Sequence, residues 1–174
     1  MSTAHSNISI FVPHIGCPNM CSFCNQRYIT GVHKAPSTSD VVDAVNIAVK
    51  SKNYEPTSTE IAFFGGSFTA INRNYMLELL KTAYEFVKNG VVSGIRISTR
   101  PDAIDDEILI LLKQYGVTAI ELGAQSLNDK VLQSNNRGHT AQDVINASKL
   151  IKQYGFSLGR QSCRFLDKSA MPLS

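Results

Sequence analysis

The chain has 174 residues, 43% of them hydrophobic and 18% charged, a balance that supports one folded domain with a substantial core and excludes disorder as the default. Its net charge of +3 comes from scattered Lys and Arg that form no basic run, so charge alone declares no nucleic-acid surface. The only early apolar stretch is Ile8 to Pro13, with no Lys or Arg before it, too short for a signal peptide or a membrane span; the expected location is cytoplasmic.

Strand and helix patterns alternate from the start. The first strand is expected over Ile8 to Val12 and stops at Pro13, and a cysteine-bearing loop follows it. Next comes a helix with apolar positions Val41, Val42, Val45, Ala48 and Val49, for which Ser39 is the expected N-cap. A second strand at Ile61 to Phe64 breaks at Gly65 and Gly66. The helix after it carries Tyr75, Met76, Leu79, Leu80, Ala83, Phe86 and Val87 at helical spacing and stops at Gly90. A third unit pairs the strand Ile95 to Ser98 with a helix bearing Ile108, Leu109, Leu111, Leu112 and Tyr115. A fourth pairs Ala119 to Leu122 with a helix bearing Val144, Ile145, Ser148 and Ile151 behind the N-cap Thr140. A short repeat, Lys-Gln-Tyr-Gly followed by an apolar residue, closes two of these helices at 113–117 and 152–156. The order predicts an α/β fold, a partial parallel (β/α) barrel with four to five units of strand and helix. Ligand chemistry then belongs at the C-terminal strand ends.

Cys17, Cys21 and Cys24 crowd the loop after the first strand, whereas Cys163 stands alone near the end. In a cytosolic chain such a group reads as metal or redox chemistry before it reads as disulfides. Spacings of three and two residues let one loop ligate three irons of a cuboidal cluster and leave the fourth open. The alternatives are a zinc site completed by His14, which would make the chain a structural or RNA-binding module, and three buried free thiols; Gly16 and Pro18 mark a turn, which argues against the thiols. A Gly65-Gly66-Ser67 turn ends the second strand, where backbone can approach a ligand closely. Polar residues end the third strand (Ser98, Arg100), and Gln125 and Arg137 follow the fourth; an amide and a planar guanidinium suit ligand oxygens. Two bland readings accompany these: His139 as a helix-entry residue hydrogen-bonded locally, and Glu121 in a barrel-facing ion pair, a role as well supported as catalysis.

The C-x3-C-x2-C loop at the end of the first strand, with Phe23 just before its third cysteine, resembles the signature of the radical S-adenosylmethionine (SAM) superfamily. The Gly-Gly-Ser turn, the Gly-Ala-Gln-Ser run at 123–126 and Arg137-Gly138-His139-Thr140 resemble the branch that contains the Elongator catalytic subunit and oxygen-independent coproporphyrinogen III oxidase. The resemblance implies a [4Fe–4S] cluster on Cys17, Cys21 and Cys24 whose open iron binds SAM, reductive cleavage of SAM, and a reductant such as flavodoxin or ferredoxin. It also implies SAM contacts from Phe23, beside the adenine, from Gly65, Gly66 and Ser67, from Ser98 and Arg100 near the ribose, and from Gln125 and Arg137. Ser67 stands where many members carry a carboxylate. The substrate implied is a tRNA uridine or a small molecule, and no catalytic base or acid is assigned.

After Gly159 the resemblance fails. The expected division is a core over 1–159, incomplete against a six-unit barrel, and an aberrant tail over 160–174 left by a frameshift or truncation; the result would be a chain that binds cofactors without turnover. An uncovered barrel edge would favour oligomerisation.

Overall fold

The structure is a computed structural model and describes residues 5–13 and 35–162. Its elements alternate: β1 (Ser6–Val12), α1 (Thr38–Val49), β2 (Thr59–Gly65), α2 (Arg73–Lys88), β3 (Gly94–Thr99), α3 (Asp106–Gln114), β4 (Val117–Gln125), α4 (Asp129–Ser134), α5 (Ala141–Gln153) and β5 (Ser157–Ser162). The strands form one sheet in the order β1-β2-β3-β4-β5, every pair parallel. Sequential order with right-handed crossovers places the crossover helices on one face of the sheet. That face holds the core, where Ile61, Phe63, Ile95, Ile97, Ile120 and Leu122 meet Val41, Val45, Leu79, Leu80, Leu109, Leu112 and Ile151, all essentially inaccessible to water.

Each helix is bounded by local chemistry. Ser37, not Ser39, is the N-cap of α1: the Asp40 amide donates to Ser37 Oγ and the Asp40 carboxylate accepts from the Ser37 amide at 2.7 Å. A capping box needs an acceptor three residues on, and three residues beyond Ser39 stands Val42. Thr140, the N-cap the sequence predicts, makes the same box with Asp143 at α5. At the exits of α2 and α5, Gly90 and Gly155 take the left-handed conformation, and the amides that follow reach back to the last turn (Val91 to Phe86 O, Phe156 to Ile151 O).

Several expectations change. Val49 and Ile145, counted in apolar stripes, are 43% and 41% exposed because each lies off the face its helix turns to the sheet. α4 has no counterpart among the predicted elements, since a helix of six residues with Leu132 as its buried residue carries no readable period. The strands outrun their apolar stretches, β4 most of all, because Val117 pairs with β3 at one end and Gln125 with β5 at the other. β5 pairs with β4 through Ser162, so the division expected at Gly159 falls inside a strand.

The helix-free face of the sheet is polar at its centre. Arg96 on β3 donates to Glu60 on β2 at 2.8 Å and to Glu121 on β4 at 2.7 Å. His5 lies 2.9 Å from the same Glu60 oxygen, and Thr118, at a register shift between β3 and β4, donates to the other Glu60 oxygen at 2.7 Å. The ion pair read from Glu121 is therefore present. Burial pushes the Glu60 carboxyl up, but the Thr118 hydroxyl, the Arg96 guanidinium and His5 outweigh it and hold the group below its ordinary range.

A carboxylate depressed in the folded state contributes stability above its unfolded pKa and loses it as pH falls through the folded value. Arg96→Met removes the cation that Glu60 and Glu121 share and is expected to cost about 3 kcal/mol near neutral pH. In that variant Glu60 keeps its Thr118 and His5 bonds but loses the Arg96 attraction, so its carboxyl moves up and the deficit should shrink as pH falls toward about 4. Urea midpoints of both proteins across that range check the sign.

Candidate functional site

Because all the strands are parallel, their C-terminal ends and the loops leaving them share one edge. β1 leads there into the cysteine loop, and Cys17, Cys21, Cys24 and Phe23 themselves lie outside the described residues. Among the described residues no three His, Cys, Asp or Glu are grouped to hold a metal ion.

β2 ends against β1. Gly65 has φ 112°, and a Cβ there would lie 2.5 Å from Phe11 Cε2 and 2.8 Å from Val12 O. Only glycine permits this approach. The next amide, Gly66 N–H, donates to Val12 O at 2.9 Å, tying the Gly-Gly turn to the point where the chain leaves for its cysteines. Phe64 is 39% exposed on the helix-free face and packs edge-on against Phe11 with ring centroids 5.7 Å apart.

Ser67 is buried at 4% exposure and its hydroxyl is engaged within the protein: Oγ lies 2.9 Å from Thr99 Oγ1 and accepts from the Arg100 amide at 3.2 Å. Thr99 in turn meets Thr69 Oγ1 at 2.5 Å, and Thr69 donates to Ala103 O at 2.6 Å. The hydroxyl chain joins the loop after β2 to the loop after β3. Neither threonine was singled out from sequence. The available signal was strand alternation, which puts Thr99 on the buried face with Ile95 and Ile97, so that a polar group there must find a partner.

Ser98 is half-buried and alternates with Arg96 onto the helix-free face, beside Glu121 of β4. Arg100 bonds Asp102 through Nε at 2.9 Å and through Nη2. Burial raises the Asp102 carboxyl and the Arg100 contacts override it, holding the group below its usual range.

β4 ends in a strained turn. Gln125 has φ 63°, and the Ser126 amide closes back on Ala124 O at 2.7 Å, a three-residue turn of the rare hand. A non-glycine residue in such a conformation costs about 1–3 kcal/mol and is kept only where its surroundings enforce it. Arg137 Nη2 donates to Gly123 O at 2.9 Å. His139 is 5% exposed, and its Nε2 lies 3.3 Å from Ala124 O. The expected local bond at the helix entry is replaced by one that crosses to β4, because the loop after α4 folds back over the strand end.

Gly123 completes the edge. A Cβ added there would lie 3.5 Å from Thr99 O, 3.7 Å from Arg137 Nη2 and 3.8 Å from Gln125 Nε2. The missing side chain leaves a space lined by a guanidinium and an amide, both donors, which suits a ligand with carboxylate or hydroxyl oxygens. SAM has such groups, and three thiolates in one loop are the donor set of an iron–sulfur cluster. The residues present fit both cofactors.

The hydroxyl chain predicts a stability effect. Thr99→Val removes the shared partner of Ser67 and Thr69 at nearly constant volume and should destabilise by about 1–3 kcal/mol, with Thr99→Ser recovering most of it. Chemical denaturation of the two variants beside the parent measures both.

The chain is 23% identical to a tRNA uridine(34) acetyltransferase of Dehalococcoides mccartyi strain CBDB1 over 87% of this chain and 39% of that protein. It is 32% identical to Elongator complex protein 3 of Homo sapiens over 63% of this chain and 23% of that one. The chain thus spans well under half the length of the curated relatives it matches. The archaeal Elp3 of Methanocaldococcus infernus, solved with an N-terminal deletion, superposes with a TM-score of 0.60 at 19% identity, over 93% of this chain and 39% of that one, which shows the partial-barrel fold. Residues 11–162 match the model of the Radical SAM superfamily, and the chain belongs to that family, whose cofactors are a [4Fe–4S] cluster and SAM.

Proposed function

We propose that this chain binds a [4Fe–4S] cluster and SAM at the C-terminal edge of its sheet and cleaves SAM reductively. The observation that carries the reading is the convergence, at one edge, of the strand leading to the three cysteines, the Gly65-Gly66 turn and the space beside Gly123. Bound together, the two cofactors supply one-electron cleavage of SAM to a 5′-deoxyadenosyl radical. The protein's own part is to bind, orient and shield.

In this reading Cys17, Cys21 and Cys24 are the cluster ligands, and Phe23 packs near the adenine. Gly65 and Gly66 offer backbone groups to the amino acid end of SAM. Ser67, with its hydroxyl turned to Thr99 and the Arg100 amide, contributes through its backbone and the rigidity of the loop. Ser98 and Arg100 stand toward the ribose. Gln125 and Arg137 present their amide and guanidinium to oxygens beside Gly123, with Arg137 held in place by its bond to Gly123 O.

The substrate we propose is a tRNA uridine, the group named for the Dehalococcoides relative; no acetyl transfer is inferred, since this chain spans 39% of that protein. A low-potential carrier such as flavodoxin or ferredoxin supplies the electron. Cysteine usage supports a cytoplasmic location, and among the described residues no helix is long and apolar enough to cross a membrane.

Anaerobic reconstitution with iron and sulfide tests the reading. The expected product is a brown protein that releases 5′-deoxyadenosine from SAM under dithionite. Single replacement of Cys17, Cys21 or Cys24 by Ala should lower bound iron and abolish release. A colourless zinc protein that leaves SAM intact would overturn it.

A further inference from the structure

The turn at Gln125 is held from outside its own strand. Two consecutive carbonyls of β4, Gly123 O and Ala124 O, are capped by Arg137 and His139 from one loop. That loop is fixed at both ends. On one side α4 closes through Asn136, at φ 53°, with Asn136 N–H bonded to Gln133 O and Arg137 N–H bonded to Leu132 O at 2.9 Å, the double bond of a Schellman motif. On the other side the Thr140–Asp143 box starts α5, and Ala141 N–H donates to Asp129 Oδ1 at 2.7 Å. The imidazole therefore sits on a rigid support.

A carbonyl oxygen only accepts, so the bond to Ala124 O places the donated proton on Nε2 of His139. Burial lowers the His139 pKa, Arg137 and Arg100 lower it further, and the Ala124 bond and Asp102 oppose them without reversing the direction. The ring is thus disposed to be neutral, with its one N–H spent on the strand. Without that donor Ala124 O loses its bond to the loop after α4 and keeps the 2.7 Å bond from Ser126 within the strained turn.

We propose that His139 is a positioning residue, whose Nε2–H bond to the Ala124 carbonyl holds Gln125 in its left-handed turn and so aims the Gln125 amide at the space beside Gly123. This rests on the reading above that Gln125 contacts SAM.

The test is equilibrium dialysis of SAM against the reconstituted full chain. His139→Leu should weaken binding about fivefold to tenfold, as expected for one misplaced hydrogen bond, and His139→Gln, which keeps a donor, should recover most of it. Gln125→Ala should weaken binding by itself, and adding His139→Leu to it should weaken binding no further, because His139 acts through Gln125. Normal binding by His139→Leu, a His139→Gln variant no better than His139→Leu, or losses that multiply in the double variant would each overturn the proposal. If Gln125→Ala binds SAM normally, the assignment of Gln125 itself fails, and the proposal fails with it. Where His139→Leu does not fold, Gln125→Gly in the same chain should restore the fold, because glycine takes the turn without strain; failure to restore it also counts against the proposal.

Discussion

Five strands that all point the same way can deliver their chemistry to one edge alone. That constraint organises the molecule: β1 sends the chain into its cysteine loop, β2 into the Gly-Gly turn, β3 into Ser98 and Arg100, and β4 into Gln125. Residues far apart in the chain, such as Ser67 and Thr99, become neighbours because the sheet sets the ends of successive strands side by side. Right-handed crossovers then put the apolar helices on one face and leave the opposite face free for ligands.

A free face of a parallel sheet is costly unless its polar groups satisfy one another. Here the satisfaction is lateral. Glu60, Arg96 and Glu121 bind β2, β3 and β4 together, with His5 and Thr118 taking the remaining Glu60 lone pairs. Gly159 on β5 faces this cluster, and a side chain there would run into the Glu121 carboxylate. The aromatic pair Phe11 and Phe64 stands on the side of the strand ends, so the face changes from ionic to aromatic toward the edge.

Around the edge, positions are held by bonds between loops. The Ser67–Thr99–Thr69 hydroxyls tie the second loop to the third, and Arg137 and His139 tie the segment after α4 to β4. Strain collects at Gln125, where the Arg137 and His139 bonds meet the end of β4. Such strain persists because the surroundings over-determine it, and a site that must present backbone and amide groups at fixed positions gains from that rigidity.

Alternating strands and helices, the glycine exits at Gly90 and Gly155, the Thr140 cap and the family are legible in the sequence, because each depends on residues close together in the chain or on a spacing the chain displays. The sequence also placed Gly65, Ser98 and Gln125 at strand ends, since the stop of an apolar run is visible locally. How far β4 extends, and that His139 reaches Ala124 instead of its own helix entry, emerged only from the folded chain. Those outcomes depend on pairing between segments, and a hydrogen bond across fifteen residues or between two strands leaves no periodic trace. Thr99 lies between the two cases: its buried position followed from alternation, and its partners Ser67 and Thr69 did not, because only the sheet brings those loops side by side.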